Sequence, residues 1–330
     1  RSYSVTGVQT CALPISGSRL SLPLKNAMDG PEEIFDLCGR RVDILSVYYT
    51  ASAGRSLLFG EFSSTGKSNF ALVQGFTIRA SGRLTINGLY RNYSPGYGGL
   101  HSRGPGNSSA GCNEEGILGN FTFEASRHLF VSAGYDLCRY PWLRYRTSYP
   151  SVSKRYEVKL RYMPTEKLNM EIAYLSRYSM NDEQTTQGVA GRKTTTAGTF
   201  RAQFRYTLNE TLSLNCRMDY KSVRESGSKG WLMSQDFIYR SVTLPLTLWG
   251  RYCIFRTGDW DSRIYIYEND LLYSFSIPAF SQDGSRTYLM AGWRVADFAE
   301  FRVKYSLTSM VKSNIPEYRN ELRMQLRIWF

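Results

Sequence analysis

From about residue 42 onward, apolar and polar side chains alternate with a period of two, the mark of extended strands whose two faces meet different surroundings. Leu84, Ile86, Gly88 and Tyr90 oppose Arg83, Thr85, Asn87 and Arg91. Tyr156, Val158, Leu160 and Tyr162 oppose Glu157, Lys159 and Arg161. The same holds for Phe200, Ala202, Phe204 and Tyr206 against Arg201, Gln203 and Arg205, and for Phe301, Val303, Tyr305 and Leu307 against Glu300, Arg302 and Lys304. The pattern predicts about seventeen strands, over 42–50, 55–62, 68–79, 83–93, 115–124, 127–138, 154–163, 167–178, 195–208, 211–223, 230–240, 243–256, 262–268, 271–278, 285–294, 297–309 and 317–330.

The connections alternate too. Short turns are expected near Ser81-Gly82, Ser126-Arg127, Thr165-Glu166, Asn209-Glu210, Arg240-Ser241, Glu268-Asn269-Asp270 and Ala296-Asp297. Longer polar loops are expected near 92–114, 138–153, 179–194, 224–230, 256–261, 279–284 and 310–316. Tight turns on one side and long loops on the other are the habit of an outer-membrane barrel. Tyrosines that end the apolar faces suit an interfacial girdle, ring in the boundary and hydroxyl in water. The expected fold is therefore all-β, an antiparallel transmembrane β-barrel of 16–18 strands in the bacterial outer membrane.

Composition agrees with this reading. The 330 residues include 24 Tyr, 17 Phe and 6 Trp, yet no apolar run is long enough for a transmembrane helix. The formal charge of +13 points to an anionic partner, a basic lumen or lipopolysaccharide contacts. Much of it lies on the face opposite the apolar one, where Lys159, Arg161, Arg201, Arg205, Arg217, Arg302 and Lys304 share space with Glu157, Glu171, Asp219 and Glu300. On the lipid side each Arg or Lys at mid-bilayer would cost roughly 2–4 kcal/mol, so these side chains point inward. Two readings stay open: an ion-pair network that braces the wall, or a path that attracts anions.

Candidate chemistry is sparse. The two histidines, His101 and His128, lie apart, so no catalytic residue is assigned. The cysteines have no metal-ligand spacing, and neither a metal nor a cofactor is expected, although Cys112 and Cys138 are near enough in the loops for a disulfide to be considered. Glu268 and Asp270 would sit at a turn. Ligand contacts are expected from Arg91, Tyr93, Tyr97, Trp142, Arg144 and Arg146, where aromatic rings and guanidinium groups could stack on a ligand or pair with phosphate. The alternative is that these loops fold inward and fill the barrel.

The two ends carry separate signals. Val5-Thr6-Gly7-Val8-Gln9-Thr10-Cys11-Ala12-Leu13-Pro14-Ile15 resembles the in-frame translation of a sequencing-library adapter, so residues 1–16 are set aside. Residues 17–41 are read as the irregular start of an N-terminally truncated barrel, and 42–330 as the barrel itself. At the other end, Leu322, Met324, Leu326, Ile328 and Phe330 share one strand face. This resembles a barrel's closing strand, in which Leu326, Ile328 and Phe330 would be read by the assembly machinery.

Five loop segments resemble a known family when taken in order. They are Leu58-Phe59-Gly60-Glu61, Tyr90-Arg91-Asn92-Tyr93-Ser94-Pro95-Gly96-Tyr97, Asn113-Glu114-Glu115-Gly116-Ile117, Tyr140-Pro141-Trp142-Leu143-Arg144-Tyr145-Arg146 and Tyr267-Glu268-Asn269-Asp270. Together they resemble the C-terminal barrel of Bacteroidetes outer-membrane proteins of the helix-hairpin-helix, competence-like type, over roughly 40–330. The resemblance implies a channel or translocation component for an anionic substrate or DNA, with DNA reached only through a region upstream. The competing expectation is a plugged barrel that anchors or displays other domains. Either way the expected partners are outer-membrane lipid, lipopolysaccharide and the barrel-assembly machinery.

Overall fold

The computed structural model describes residues 9–12, 15–20, 31, 34–35, 42–66, 69–98, 104–108, 111–183, 191–312 and 315–329. Among the described residues nineteen strands follow one another: β1 (Gln9–Ala12), β2 (Ile15–Leu20), β3 (Val42–Ala53), β4 (Ser56–Gly66), β5 (Asn69–Arg79), β6 (Leu84–Tyr93), β7 (Glu114–Ser126), β8 (Leu129–Tyr140), β9 (Ser151–Thr165), β10 (Leu168–Glu183), β11 (Gly191–Thr207), β12 (Leu212–Val223), β13 (Lys229–Arg240), β14 (Leu246–Thr257), β15 (Ile264–Tyr265), β16 (Ala279–Phe280), β17 (Asp283–Ala296), β18 (Ala299–Lys312) and β19 (Ile315–Ile328). The long strands pair with their neighbours in antiparallel sheet, while β15 and β16 form a separate two-stranded one. From β3 to β14 and from β17 to β19 each strand has 10 to 17 residues, enough to cross a bilayer when tilted. Among the described residues no helix is long and apolar enough to cross one.

The chain's contacts gather into two compact units. One takes the chain up to Ala125 with Val131–Val158 and Ser176–Thr195, and the other takes Ser126–Phe130, Lys159–Leu175 and Thr196–Phe330. In the first, β3 to β7 form consecutive antiparallel pairs, for instance Phe76↔Gly88 and Gly88↔Gly119. In the second, β11, β12, β13, β14, β17, β18 and β19 do the same, for instance Arg201↔Asp219 and Asp236↔Arg251.

Burial is inverted relative to a soluble sheet. The alternating apolar face is exposed, as at Phe76, Ile86, Phe121, Ile172, Phe204, Met233, Leu289, Leu307 and Met324. The opposite face holds the buried charges Arg91, Glu114, Asp219, Asp236, Arg251 and Lys304. Among the described residues no second layer covers the apolar side at these positions, which is the arrangement of a sheet whose solvent there is hydrocarbon.

Fifteen of the predicted strands form as expected, with ends moved by a few residues. Two do not. The predicted strands 262–268 and 271–278, with a tight turn at Glu268-Asn269-Asp270, are part of one long connection from residue 258 to residue 282 between β14 and β17. Only the bridges Ile264↔Phe280, Tyr265↔Ala279 and Glu268↔Ser276 pair within it. The expected loop at 279–284 is also displaced, since β17 begins at Asp283. The alternation here is real, because Ser262, Ile264, Ile266 and Glu268 are buried while Tyr265 and Tyr267 are exposed. Its cause is different: one face of the connection lies on the wall's polar side. In addition β2, outside the predicted set, pairs with β3 from Ile15↔Val47 to Leu20↔Val42.

The exposed apolar face can be tested at Met233, in the middle of β13 and 47% exposed. Met233→Arg is expected to weaken insertion by about 2–4 kcal/mol in urea titrations from lipid vesicles, with Met233→Leu close to neutral. Equal stability of the two variants would contradict a lipid-facing Met233.

Candidate functional site

In the second unit the polar face of the wall binds the 258–282 connection along its length. Leu232, Cys253 and Phe255 of the wall pack with Ile264, Ile266 and Phe280, and Tyr288 and Met290 pack with Leu271. Each large apolar side chain buried in this way contributes roughly 1.5–3 kcal/mol. Wall cations take up the connection's carbonyl oxygens. Lys221 Nζ donates to Asp261 O at 2.6 Å, Arg217 Nη2 to Tyr265 O at 3.0 Å, Arg251 Nη1 to Tyr267 O at 2.6 Å and Lys304 Nζ to Asn269 O at 2.7 Å. Gln325 closes the tip, accepting from Leu272 N at 3.0 Å and donating to Leu272 O at 3.1 Å. Gln325 is ten positions along β19 from Ile315, about 30 Å of strand, so the connection reaches far down the wall.

Glu268 is the centre of this attachment. Its carboxylate is fully buried and takes both Arg286 Nε and Nη2 at 2.8 Å, and Lys304 Nζ at 2.7 Å. Asp270 adds Arg323 Nη1 at 2.7 Å and lies 3.5 Å from Lys304. Burial alone would push the Glu268 carboxyl up, but Arg286 and Lys304 hold it below its ordinary value. A row of polar side chains leads to the same place: Gln203 donates to Asn215, Asn215 to Asp236, and Arg251 pairs with Asp236.

The first unit has a smaller attachment of the same kind. Glu114 at the start of β7 is fully buried and accepts from Arg91 Nε at 2.6 Å and from the loop amides of Asn107 and Ser108 at 2.9 and 2.7 Å. Arg91 Nη2 also reaches Asp136 at 2.7 Å. An arginine this deeply buried is tolerable only because two carboxylates meet it. Gly116 makes the room: a Cβ there would lie 2.8 Å from Leu137 O and 3.1 Å from Arg91 Cζ.

These contacts locate the residues expected to meet ligands. Arg91, Tyr93 and Tyr97 are buried, with Tyr93 bonded to Pro105 O and Tyr97 to Ser63. Trp142 is half-buried against Phe35 and donates to Pro31 O. Arg144 lies 3.5 Å over the Tyr140 ring. Arg146, in the left-handed backbone region at φ 59°, lies 5.4 Å over the exposed Tyr145. Of the basic wall residues, Arg201 and Arg217 pair with Asp219, Arg302 with Glu300, Lys159 and Arg161 with Glu171, and Lys304 with Glu268. Arg205 is exposed and makes no ion pair among the described residues.

Cys138 is a free thiol that donates to Tyr140, so it forms no bridge with Cys112. His128 meets Met163 O at a turn, and His101 lies outside the described residues. Among the described residues no group of three His, Cys, Asp or Glu side chains could hold a metal. Sequence reasoning missed the central role of Glu268, Arg286 and Arg251. The available signal was the run of apolar residues on the wrong face, at Leu232, Cys253, Phe255 and Met290, which only a covering segment explains.

No protein-family model matches the chain, and no curated protein matches it. Solved structures do match. A ferric enterobactin receptor mutant from Pseudomonas aeruginosa, in complex with enterobactin, is 9% identical over 89% of this chain and 53% of that one, with a TM-score of 0.52. The RagAB peptide importer in the closed-closed state is 9% identical over 87% of this chain and 48% of that one, with a TM-score of 0.50. The siderophore receptor PirA from Acinetobacter baumannii is 9% identical over 96% and 58%, with a TM-score of 0.47. The chain thus spans about half the length of these proteins. It has the all-β fold of bacterial outer-membrane β-barrels, with antiparallel strands long enough to cross a bilayer.

Glu268 gives the attachment a pH dependence. The docked carboxyl titrates below its ordinary value, so docking is fully favoured above the ordinary carboxylate range and is lost as pH falls through the lowered value. Hydrogen exchange of residues 264–280, corrected for intrinsic rates, is expected to rise sharply on acidification. Glu268→Gln leaves the partly buried Arg286 only the hydroxyls of Thr308 and Ser306 and partly strands Lys304, a loss of roughly 3–5 kcal/mol with the lower end expected because Asp270 remains nearby. Its segment is expected to exchange fast at neutral pH already. Unchanged protection in the variant would contradict the latch.

Proposed function

We propose that this chain is the wall and inner loop of an outer-membrane channel or translocation component, in which the 258–282 connection narrows the lumen and Glu268 latches it. The supporting observation is the form of attachment. The connection is held by side-chain contacts, namely apolar packing, wall cations on its carbonyl oxygens and the buried Glu268 carboxylate between Arg286 and Lys304, rather than by continuous sheet pairing. Such a segment can detach without breaking the wall. A transport role is in keeping with likeness in fold to an enterobactin receptor and a peptide importer.

The charge of +13 favours an anionic solute. DNA belongs to the proposal only through a helix-hairpin-helix region upstream of these residues, and the Bacteroidetes affiliation stands with it. Outer-membrane lipid and lipopolysaccharide would cover the exposed apolar belt. The barrel-assembly machinery would read the last strand, where Leu326 and Ile328 are exposed and Phe330 lies outside the described residues.

One observation favours a second reading. Arg201, Arg217, Arg302 and Lys304 are all paired with carboxylates, as in a wall braced for a plugged, structural barrel. Conductance separates the two. In planar bilayers the protein is expected to give discrete steps, larger and more frequent in Glu268→Gln, with a reversal potential that favours anions. Silence from both proteins would reject the channel and leave the plugged barrel.

A further inference from the structure

The connection that covers the wall has a second face, and that face is aromatic. Trp260, Tyr265, Tyr267, Tyr273 and Phe275 are 59%, 46%, 50%, 90% and 79% exposed, while their neighbours Ile264, Ile266, Glu268 and Leu271 are buried against the wall. The Tyr267 and Phe275 rings lie 5.8 Å apart across the two arms of the connection. Arg263 lies 4.6 Å over the Trp260 ring and 5.5 Å over Tyr265, and its Nε donates to Tyr265 Oη at 2.6 Å. These rings are on an inner segment, whereas the lipid-facing aromatics are on wall strands, so hydrocarbon does not account for their exposure.

The backbone adds an independent observation. Tyr273, at the tip, has φ 66°, the left-handed region that a bulky side chain rarely adopts. Tyr273 is also the most exposed of the five rings. Backbone strain of this kind is found preferentially at functional positions.

We propose that this stripe is a stacking track for a neutral oligosaccharide. A sugar ring presents an apolar C–H face that lies flat on tyrosine or tryptophan, and a rim of hydroxyls that needs neutral hydrogen-bonding partners. The stripe supplies both, with rings at five positions and the hydroxyls of Tyr267, Tyr273 and Ser274 beside them. A single-stranded nucleic acid would also stack on the rings, but its phosphates need free cations. The cations that touch the connection are engaged: Lys221, Arg217, Arg251 and Lys304 by its carbonyl oxygens, Arg286 and Arg323 by its carboxylates, and Arg263 by Trp260 O and Tyr265, while Lys229 lies only at its base. With these side chains engaged, the stripe itself favours the neutral ligand, whatever solute the net charge of the whole chain attracts. The track is exposed whether or not the barrel conducts, so it does not depend on the channel proposal.

Calorimetric titration of the full chain in detergent tests it with maltohexaose, cellohexaose, glucose and an oligothymidylate as probes. At least one hexaose is expected to bind saturably, and glucose much more weakly. Tyr267→Ala is expected to weaken the hexaose by about two- to tenfold, the worth of one stacked ring, while Tyr267→Phe keeps most of the affinity. Tyr305→Ala, on the lipid face, is expected to have no effect, and heat-modifiable gel mobility checks that each variant is folded. Absence of binding by both hexaoses, or affinity that Tyr267→Ala leaves intact, overturns the proposal. Tighter, Tyr267-dependent binding of the oligothymidylate overturns it in favour of a nucleic-acid track. A protein that binds hexaose but stays silent in bilayers keeps the track and rejects the channel.

Discussion

A sheet in hydrocarbon has one face for every group that needs water or a partner, and the rest of this molecule follows from that restriction. Because side chains alternate, each strand must place its charges on the side away from lipid. Crowded there, arginines that meet a carboxylate pair with it. Arg201 with Asp219, Arg251 with Asp236, and Arg302 with Glu300 are the result. The apolar face has the opposite freedom and stays exposed from Phe76 to Met324.

The same crowding makes the polar face a surface on which loops can be held. Each compact unit uses one fully buried glutamate for this. Glu114 stands on the wall and takes amides from a loop, and Glu268 stands on a loop and takes cations from the wall. Segments whose order resembled a known family fall at these attachments. Arg91 and Tyr93 lie at one base, and Asn113, at φ 54°, exchanges hydrogen bonds with the loop at Trp142 and Leu143. Glu268 and Asp270 form the other attachment. Their shared physical job is to fix loops against a wall, which explains why they read as loop motifs while their side chains are buried.

The wall was legible in the sequence because lipid imposes a strict period of two, and Arg83 to Tyr90 or Phe301 to Leu307 show it without interruption. The segment from Ser262 to Glu268 obeys the same period for another reason, packing on the wall, and periodicity alone cannot tell the two apart. What distinguishes them is the company of each face. In the wall, aromatic residues go to the exposed side and charges to the buried one, whereas here Ile264 and Ile266 are buried beside Glu268. The apolar inner residues Leu232, Phe255 and Met290 are the complementary trace. Sequence also pointed to Arg91 and Trp142 as ligand contacts, since exposure cannot be read from residue type. Both are engaged by their own chain.

Spin labels placed singly along β19, at Arg323, Met324, Gln325 and Leu326 in vesicles, test the central restriction most directly. Oxygen, which concentrates in hydrocarbon, is expected to relax the labels at 324 and 326 strongly and those at 323 and 325 weakly, an alternation of period two. Uniform oxygen accessibility along the four positions, or protection confined to 324 and 326, would contradict a single wall with one face in lipid.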